Sequence, residues 1–293
     1  MIMCAGEILF DFIDEHGDGV YTRHAGGAPF NVARALVSAG ADVGFYGCVG
    51  NDGNGEKLKR IAEGCGFSRL IIDNIKTRNT TLAFVGINER GDRGFFFHAR
   101  LTADSAPCAE KVGKIFEGAD IAHLGSLPLR SAKGRTFAHA VTDLTEKTGS
   151  KLSFDINYRD GLFQSKRAAY RAYGEVIDRA DIIKFGEDEL ADHVRYLGDG
   201  RTENLREAAE RLSEQKRGRL VFVTYGARGA LLACDGGSVF KEAPHVEVKD
   251  TTGAGDAFLA GALAALDRGE SAEQALCAAV ALGAKACTVH GAL

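Results

Sequence analysis

From residue 105 onward the chain alternates short apolar runs with longer stretches of helical period. The runs "ADIAHLGSL" (119–127), "KLSFDIN" (151–157), "ADIIKFG" (180–186) and "RLVFVTYG" (219–226) are too short for helices and rich in branched and aromatic residues, so they predict buried strands. Between them, residues 131–147, 165–179 and 202–216 carry apolar positions at helical spacing. Strands alternating with helices of this length predict βαβ units and a doubly wound, mainly parallel sheet with helices on both faces. The N-terminal part joins the scheme, with a strand at "AGEILFDFI" (5–13), a helix over about 28–39 and a strand at "DVGFYGCVG" (42–50).

Two segments break the alternation. "DGVYTRH" (18–24) and "TTLAFVGINERGDRGFFFH" (80–98) read as strands without helices. The second folds as a hairpin around "NERGDRG", with Gly91 and Gly94 supplying the turn. Inserted between the first βα units, such strands predict a small β-sheet lid over the carboxyl edge of the main sheet. The expectation is one domain over 1–293, with the lid drawn from about 14–25 and 78–101.

Composition narrows the class. The 293 residues are 45% hydrophobic and 26% charged, with a net charge of −4. There is no global pull toward nucleic acid or anionic lipid. No apolar run approaches the about 18 residues that span a bilayer. "MIMCAGEILFDFID" lacks a basic start and carries Glu7 and Asp11 inside its apolar stretch, unlike a signal peptide. The seven cysteines are scattered without a C-x-x-C pair, which speaks against zinc and a disulfide framework and for a reducing, cytoplasmic setting. The eight histidines, His98 and His123 among them, show no metal-like spacing.

The densest chemistry lies at 248–258, "VKDTTGAGDAF". A strand end leads through a Gly-rich loop into the helix-forming run "AGDAFLAGALAALDR" (254–268). Gly253, Ala254 and Gly255 therefore lie where backbone N–H groups lack intrahelical acceptors, and a helix N-terminus attracts anions. Asp256 falls in the first turn. "GAGD" alone is an ordinary helix start, but Asp250 and two threonines exceed what a cap requires. A helix N-terminus is expected to hold the Asp256 carboxyl low and make it a weak base.

"DTTGAGDAFLAGAL" (250–263) resembles the second signature of the ribokinase-like (PfkB) carbohydrate kinases, and "GGAPFNVARAL" (26–36) resembles their first. The resemblance implies a ribokinase-like fold and transfer of the γ-phosphoryl group of ATP to a sugar hydroxyl. By that likeness the amides of Gly253, Ala254 and Gly255 form an anion hole and Asp256 takes the hydroxyl proton. Gly26, Gly27 and Asn31 would face the sugar, as would Asp11, a lone carboxylate placed near the carboxyl end of the first strand. "FDINYRDGLF" (154–163) resembles a stretch of bacterial fructokinases, with Ile156 and Phe163 departing from the pattern. It brings Asp155, Asn157 and Arg159 to the cleft, and Arg100 resembles an arginine that reaches the sugar.

On the nucleotide side, "KFGEDEL" (184–190) and "VTYGARGALL" (223–232) imply contacts from Lys184, Thr224, Gly226 and Gly229 together with Gly253 and Gly255. Glu189 would organise water around Mg2+, although Gly186 and Val280 replace side chains common in relatives. Asp250 and Thr252 are candidates for a K+ site, with the chain stopping at "HGAL". "GCVGNDGNG" (47–55) reads as a structural turn. No P-loop, G-x-G-x-x-G, G-x-S-x-G or H-E-x-x-H occurs.

The expected activity is MgATP-dependent phosphorylation of a sugar, fructose to fructose 6-phosphate first. A 2-keto-3-deoxygluconate or another sugar kinase is the alternative. A sugar-binding regulator with weak catalysis ranks below them, and a dinucleotide oxidoreductase lower still. The expected partners are the sugar and ATP, with no nucleic acid or membrane, and a second copy pairing through the lid.

Overall fold

The computed structural model describes residues 1–14, 17–87, 93–198, 204–289 and 291. Nine strands form the main sheet: β1 (Ile2–Ala5), β4 (Val43–Gly50), β5 (Arg69–Ile75), β8 (Ile121–Gly125), β9 (Lys151–Asp155), β10 (Ile182–Gly186), β11 (Leu220–Thr224), β12 (Gly229–Cys234) and β13 (Gly237–Glu242). Their order is β13-β12-β11-β10-β9-β8-β1-β4-β5. All neighbours from β11 to β5 run parallel, and the β12–β13 hairpin completes one edge antiparallel.

Strands buried on both faces explain the continuous apolar runs. Met3 and Ala5 point to one layer while Ile2 and Cys4 point to the other, and Val221 and Val223 alternate likewise with Leu220 and Phe222. The first layer holds α3 (Val112–Ile115), α4 (Ala132–Thr148), α5 (Lys166–Ile177), α6 (Glu187–Leu197) and α7 (Leu205–Glu214). The second holds α1 (Ala28–Ser38), α2 (Gly53–Glu63), α8 (Ala254–Asp267) and α9 (Ala272–Ala286). All seven cysteines are free. No helix among the described residues is long and apolar enough to cross a membrane.

A separate sheet has the order β3-β2-β6-β7, from β2 (Leu9–Asp14), β3 (Tyr21–Gly26), β6 (Leu82–Ile87) and β7 (Arg93–His98). Here the structure corrects one expectation. "AGEILFDFI" is two strands, because the chain leaves the main sheet after Ala5 and enters the small sheet at Leu9. Gly6 and Glu7 mark the break, but Glu7 is itself buried, so the burial continues through the passage between the strands. Asp11 accordingly sits in the small sheet, opposite His24 on β3 and Ala83 on β6, and not at a strand end of the main sheet. The turn at 88–92, Gly91 included, lies outside the described residues. Gly94 is not in that turn but opposite Gly86 in the β6–β7 ladder.

The "GCVGNDGNG" segment anchors the small sheet. Asp52 caps α2, its Oδ1 accepting from the Gly55 N–H at 2.8 Å and from Thr80 Oγ1 at 2.8 Å. Its Oδ2 accepts from the Thr80 N–H at 2.7 Å, and the Gly50 N–H donates to Thr80 Oγ1 at 3.0 Å. One side chain thus fixes a helix start and the approach to β6. Replacing Asp52 with Ala removes a cap and two further bonds, and should lower stability by about 1–2 kcal/mol, read as an earlier urea midpoint at unchanged slope. An unchanged midpoint would show that these bonds add nothing net.

Candidate active site

Strand ends β9, β10 and β11 and the starts of α1 and α8 converge beneath the small sheet. Gly253 caps α8 in the left-handed region at φ 76°, so the first turn opens directly into this space. The Ala254 N–H turns back onto the Thr251 carbonyl at 3.2 Å, so this amide, expected to face an anion, is already engaged. Asp256 follows in that turn, half-buried, with Oδ2 accepting from Asn31 Nδ2 at 2.9 Å. Asn31 is 8% exposed, and its Oδ1 has no protein partner among the described residues. Residues 225 positions apart thus meet across the cleft.

The charge state of Asp256 reverses the expectation from the helix end. Burial, with Asp155 adding to it, raises its carboxyl to about 6 against the Asn31 bond and the positive charges of Lys184 and Arg159. The helix end acts through a few amides, whereas withdrawal from water acts on the whole carboxylate. Asp11 behaves alike: burial, with Asp256 adding to it, raises it to about 6 against the pull of Arg159. Arg159 therefore serves both carboxylates. Gly26 makes room for Asp11, since a Cβ there would lie 2.0 Å from Asp11 Oδ2.

Lys184 on β10 is 6% exposed and pairs with Asp155 Oδ1 at 2.8 Å. Burial pulls the ammonium pKa down, but Asp155, Glu189 and Asp256 outweigh it and the net shift is upward. Its Nζ lies 3.5 Å from where a Gly255 Cβ would stand, so a buried cation borders the first turn of α8. Asp155 Oδ2 is without a partner among the described residues. A fixed cation beside helix N-terminal amides suits an incoming anion.

The other expected residues divide clearly. Thr224, Gly226 and Gly229 line a groove of about 340 Å3 that runs to Ala254, Gly255 and Val280 and includes His245 and Phe258. That lining suits a flat apolar base at one end and phosphates at the α8 end. Asn157 follows β9 with φ 35°, a left-handed backbone that Asn tolerates. Gly27 is the residue before α1. Glu189 spends both oxygens on backbone, accepting from the Gly186 N–H at 2.6 Å and the Tyr158 N–H at 2.8 Å. Asp250 Oδ1 accepts from the Thr252 N–H and hydroxyl, and Oδ2 accepts from the Gly291 N–H. No cluster of three or more His, Cys, Asp or Glu suited to a metal occurs among the described residues. Arg100 is exposed after β7, and no contact among the described residues joins it to the cluster. His123 packs in the core against Ser153, held neutral by burial at about 4. What the sequence left unseen was the Asp155–Lys184 pair, although a carboxylate ending a buried strand was visible.

The family model for pfkB family carbohydrate kinases matches residues 1–293. The chain belongs to that family. A fructokinase of Escherichia coli is 31% identical over 89% of this chain and 82% of its own length. Among solved structures, fructokinase of Xylella fastidiosa with bound ATP has a TM-score of 0.89 at 27% identity, covering 99% of this chain and 93% of the other. A double mutant of Vibrio cholerae fructokinase, bound to fructose, ADP and potassium, has a TM-score of 0.85 at 27% identity, with coverages of 99% and 93%. The fold of this carbohydrate kinase is thus ribokinase-like, as the motifs implied.

The raised Asp256 pKa carries a linkage with a definite sign. Between its ordinary 3.8 and about 6 the folded state binds more protons than the unfolded chain, so its contribution to stability is lost as pH rises through that window. Asp256→Asn should therefore melt no lower than wild type at pH about 7.5, with any gain gone below pH about 4. A clearly lower Tm for the variant at neutral pH would contradict this account of the carboxyl.

Proposed function

We propose that this kinase transfers the γ-phosphoryl group of MgATP to fructose, yielding fructose 6-phosphate and ADP. The observation that carries the reading is the Asn31–Asp256 contact at the start of α8, with Lys184 alongside. Fructose is preferred because the 26–36 and 154–163 motifs follow fructokinases and the similar proteins bear that name.

In the proposed reaction the sugar lies between the small sheet and α1, held by Asp11, Asn31, Asn157 and Arg159 with the backbone of Gly26 and Gly27. Its hydroxyl loses a proton to Asp256 as the oxygen bonds to the γ-phosphorus, and the bond from that phosphorus to the β-bridging oxygen breaks. A carboxyl near 6 is ionised at neutral pH yet basic enough to accept the proton. Lys184 and the first-turn amides of Gly253, Gly255 and Asp256 stabilise charge on the moving group. Thr224, Gly226 and Gly229 hold the rest of the nucleotide. Mg2+ entering with ATP would supply charge neutralisation, and Glu189, whose carboxylate the Gly186 and Tyr158 N–H groups fix in place, is the residue that would orient water around it. Asp250 and Thr252, tied to Gly291, are the place for a K+ ion if the enzyme uses one. We place the enzyme in the cytoplasm, where ATP and reduced thiols coexist.

The small sheet acts as the lid in this scheme. We further propose that it pairs with the lid of a second copy. It ends in edge strands β3 and β7, and Tyr21, Phe96 and the nearby Val20 and Leu101 expose large apolar side chains. Light scattering should give twice the chain mass, and Phe96→Glu should shift it toward the monomer. A monomeric wild type at assay concentrations would rule out the pairing.

ADP release with MgATP, measured on fructose, 2-keto-3-deoxygluconate, ribose, glucose and adenosine, tests the activity. Fructose should give the highest kcat/KM, and Asp256→Asn should lower kcat by about 10²–10⁴-fold. A different preferred sugar corrects the substrate, and near-normal turnover in the variant removes Asp256 from the mechanism. Silence across the panel with sugar still bound would favour a regulator. For the wild type, kcat/KM should fall as pH drops through about 6.

A further inference from the structure

We infer that Glu7, buried at the passage from β1 to β2, is a positioning residue for phosphoryl transfer: it holds the first turn of α1 from outside the helix and so sets Asn31 against Asp256. The inference rests on the proposed roles of Asn31 and Asp256.

Helix α1 lacks the usual means of starting. Its cap is Gly27, which gives no side-chain bond, its first turn has no acidic residue, and Pro29 has no N–H. The Ala28 N–H instead donates to Glu7 Oε1 at 3.1 Å, from a residue 21 positions away. The Glu7 backbone packs directly beneath the helix cap, since a Cβ on Gly27 would lie 2.4 Å from the Glu7 carbonyl oxygen. Glu7 is 3% exposed. One turn further along α1, Asn31 donates to Asp256.

The other carboxyl oxygen bears on the charge state of this buried acid. Oε2 has no protein partner among the described residues and lies 3.1 Å from where a Gly125 Cβ would stand, at the end of β8. The charged groups that face Glu7 are Asp104 and Arg130, which pair with each other at 2.9 Å. Burial, with Asp104 adding to it, raises the Glu7 carboxyl to about 8 against its own N–H, the Ala28 N–H and Arg130. A carboxyl near 8 is mainly the neutral acid at neutral pH, and Oε1 accepts from the Ala28 N–H. A neutral acid of this shape has a close mimic in glutamine, whereas an apolar residue of similar size offers Ala28 no acceptor.

That contrast supplies the test. Glu7→Gln and Glu7→Leu are compared with Asn31→Ala and with Glu7→Leu/Asn31→Ala in the full-length enzyme. Amide hydrogen exchange over residues 28–31 is read alongside sugar kinetics. Glu7→Leu should speed exchange in that segment and lower kcat/KM for the sugar by about 10–100-fold, the scale of a misplacement near 1 Å, with KM for ATP unchanged. Glu7→Gln should restore both. In the double variant, the loss should be no greater than in Asn31→Ala alone. Unaltered exchange in Glu7→Leu, or faster exchange with unaltered sugar turnover, overturns the inference, as does a double variant whose losses multiply. Full activity in Asp256→Asn would sink the proposed base instead, and the exchange data would still decide whether Glu7 holds α1.

Discussion

Three aspartates, Asp11, Asp155 and Asp256, share one cleft, and the cost of keeping their charges close and partly dry shapes everything around them. Each has an answer built from a different part of the chain. Lys184 pairs with Asp155, Asn31 donates to Asp256, and Arg159 moderates both Asp11 and Asp256. Burial raises the Asp11 and Asp256 carboxyls to about 6, and in the proposed reaction a proton acceptor of that strength suits alcohol phosphorylation. If Asp256 is the base, as proposed, the burial that costs the fold stability also makes the group chemically apt, and stability and activity pull in opposite directions there.

The main sheet supplies rigid ends for this arrangement. β9, β10 and β11 run parallel, so Asp155, Lys184 and Thr224 come to one edge from three separate βα units. Parallel order is what lets distant sequence segments present side chains at a common edge. The small sheet contributes Asp11 and passes into α1 through Gly26 and Gly27. Asp52 and Thr80 anchor it where the chain returns to it at β6. At each of these two junctions a carboxyl side chain, Glu7 or Asp52, also holds a helix start. The sheet that covers the cleft is therefore attached through the elements that build it.

The fold was readable because its signals are local. Short branched and aromatic runs between amphipathic stretches require only neighbouring residues to be interpreted, and the observed β8 to β11, α5 and α7 fall within them while α4 runs one residue past. The break between β1 and β2 was not readable, since Glu7 at the passage also occurs as a single polar residue inside an apolar run and only the fold shows the chain changing sheets there. The Gly-rich start of α8 was legible for the same local reason as the strands. The state of Asp256 was not: a helix end argues for a low pKa, while burial and Asp155 argue for a high one, and both depend on packing.

By itself, then, the sequence determined the parallel α/β architecture, the family, and the helix start that faces the cleft, because period, glycine placement and motif order are properties of adjacent residues. Only the tertiary structure decided the rest. It put Asp11 in the small sheet, set Lys184 beside Gly255, left Arg100 exposed, and gave Ala28 its acceptor in Glu7. Each of these is a distance between residues far apart in the chain, and such distances depend on how the packed layers close.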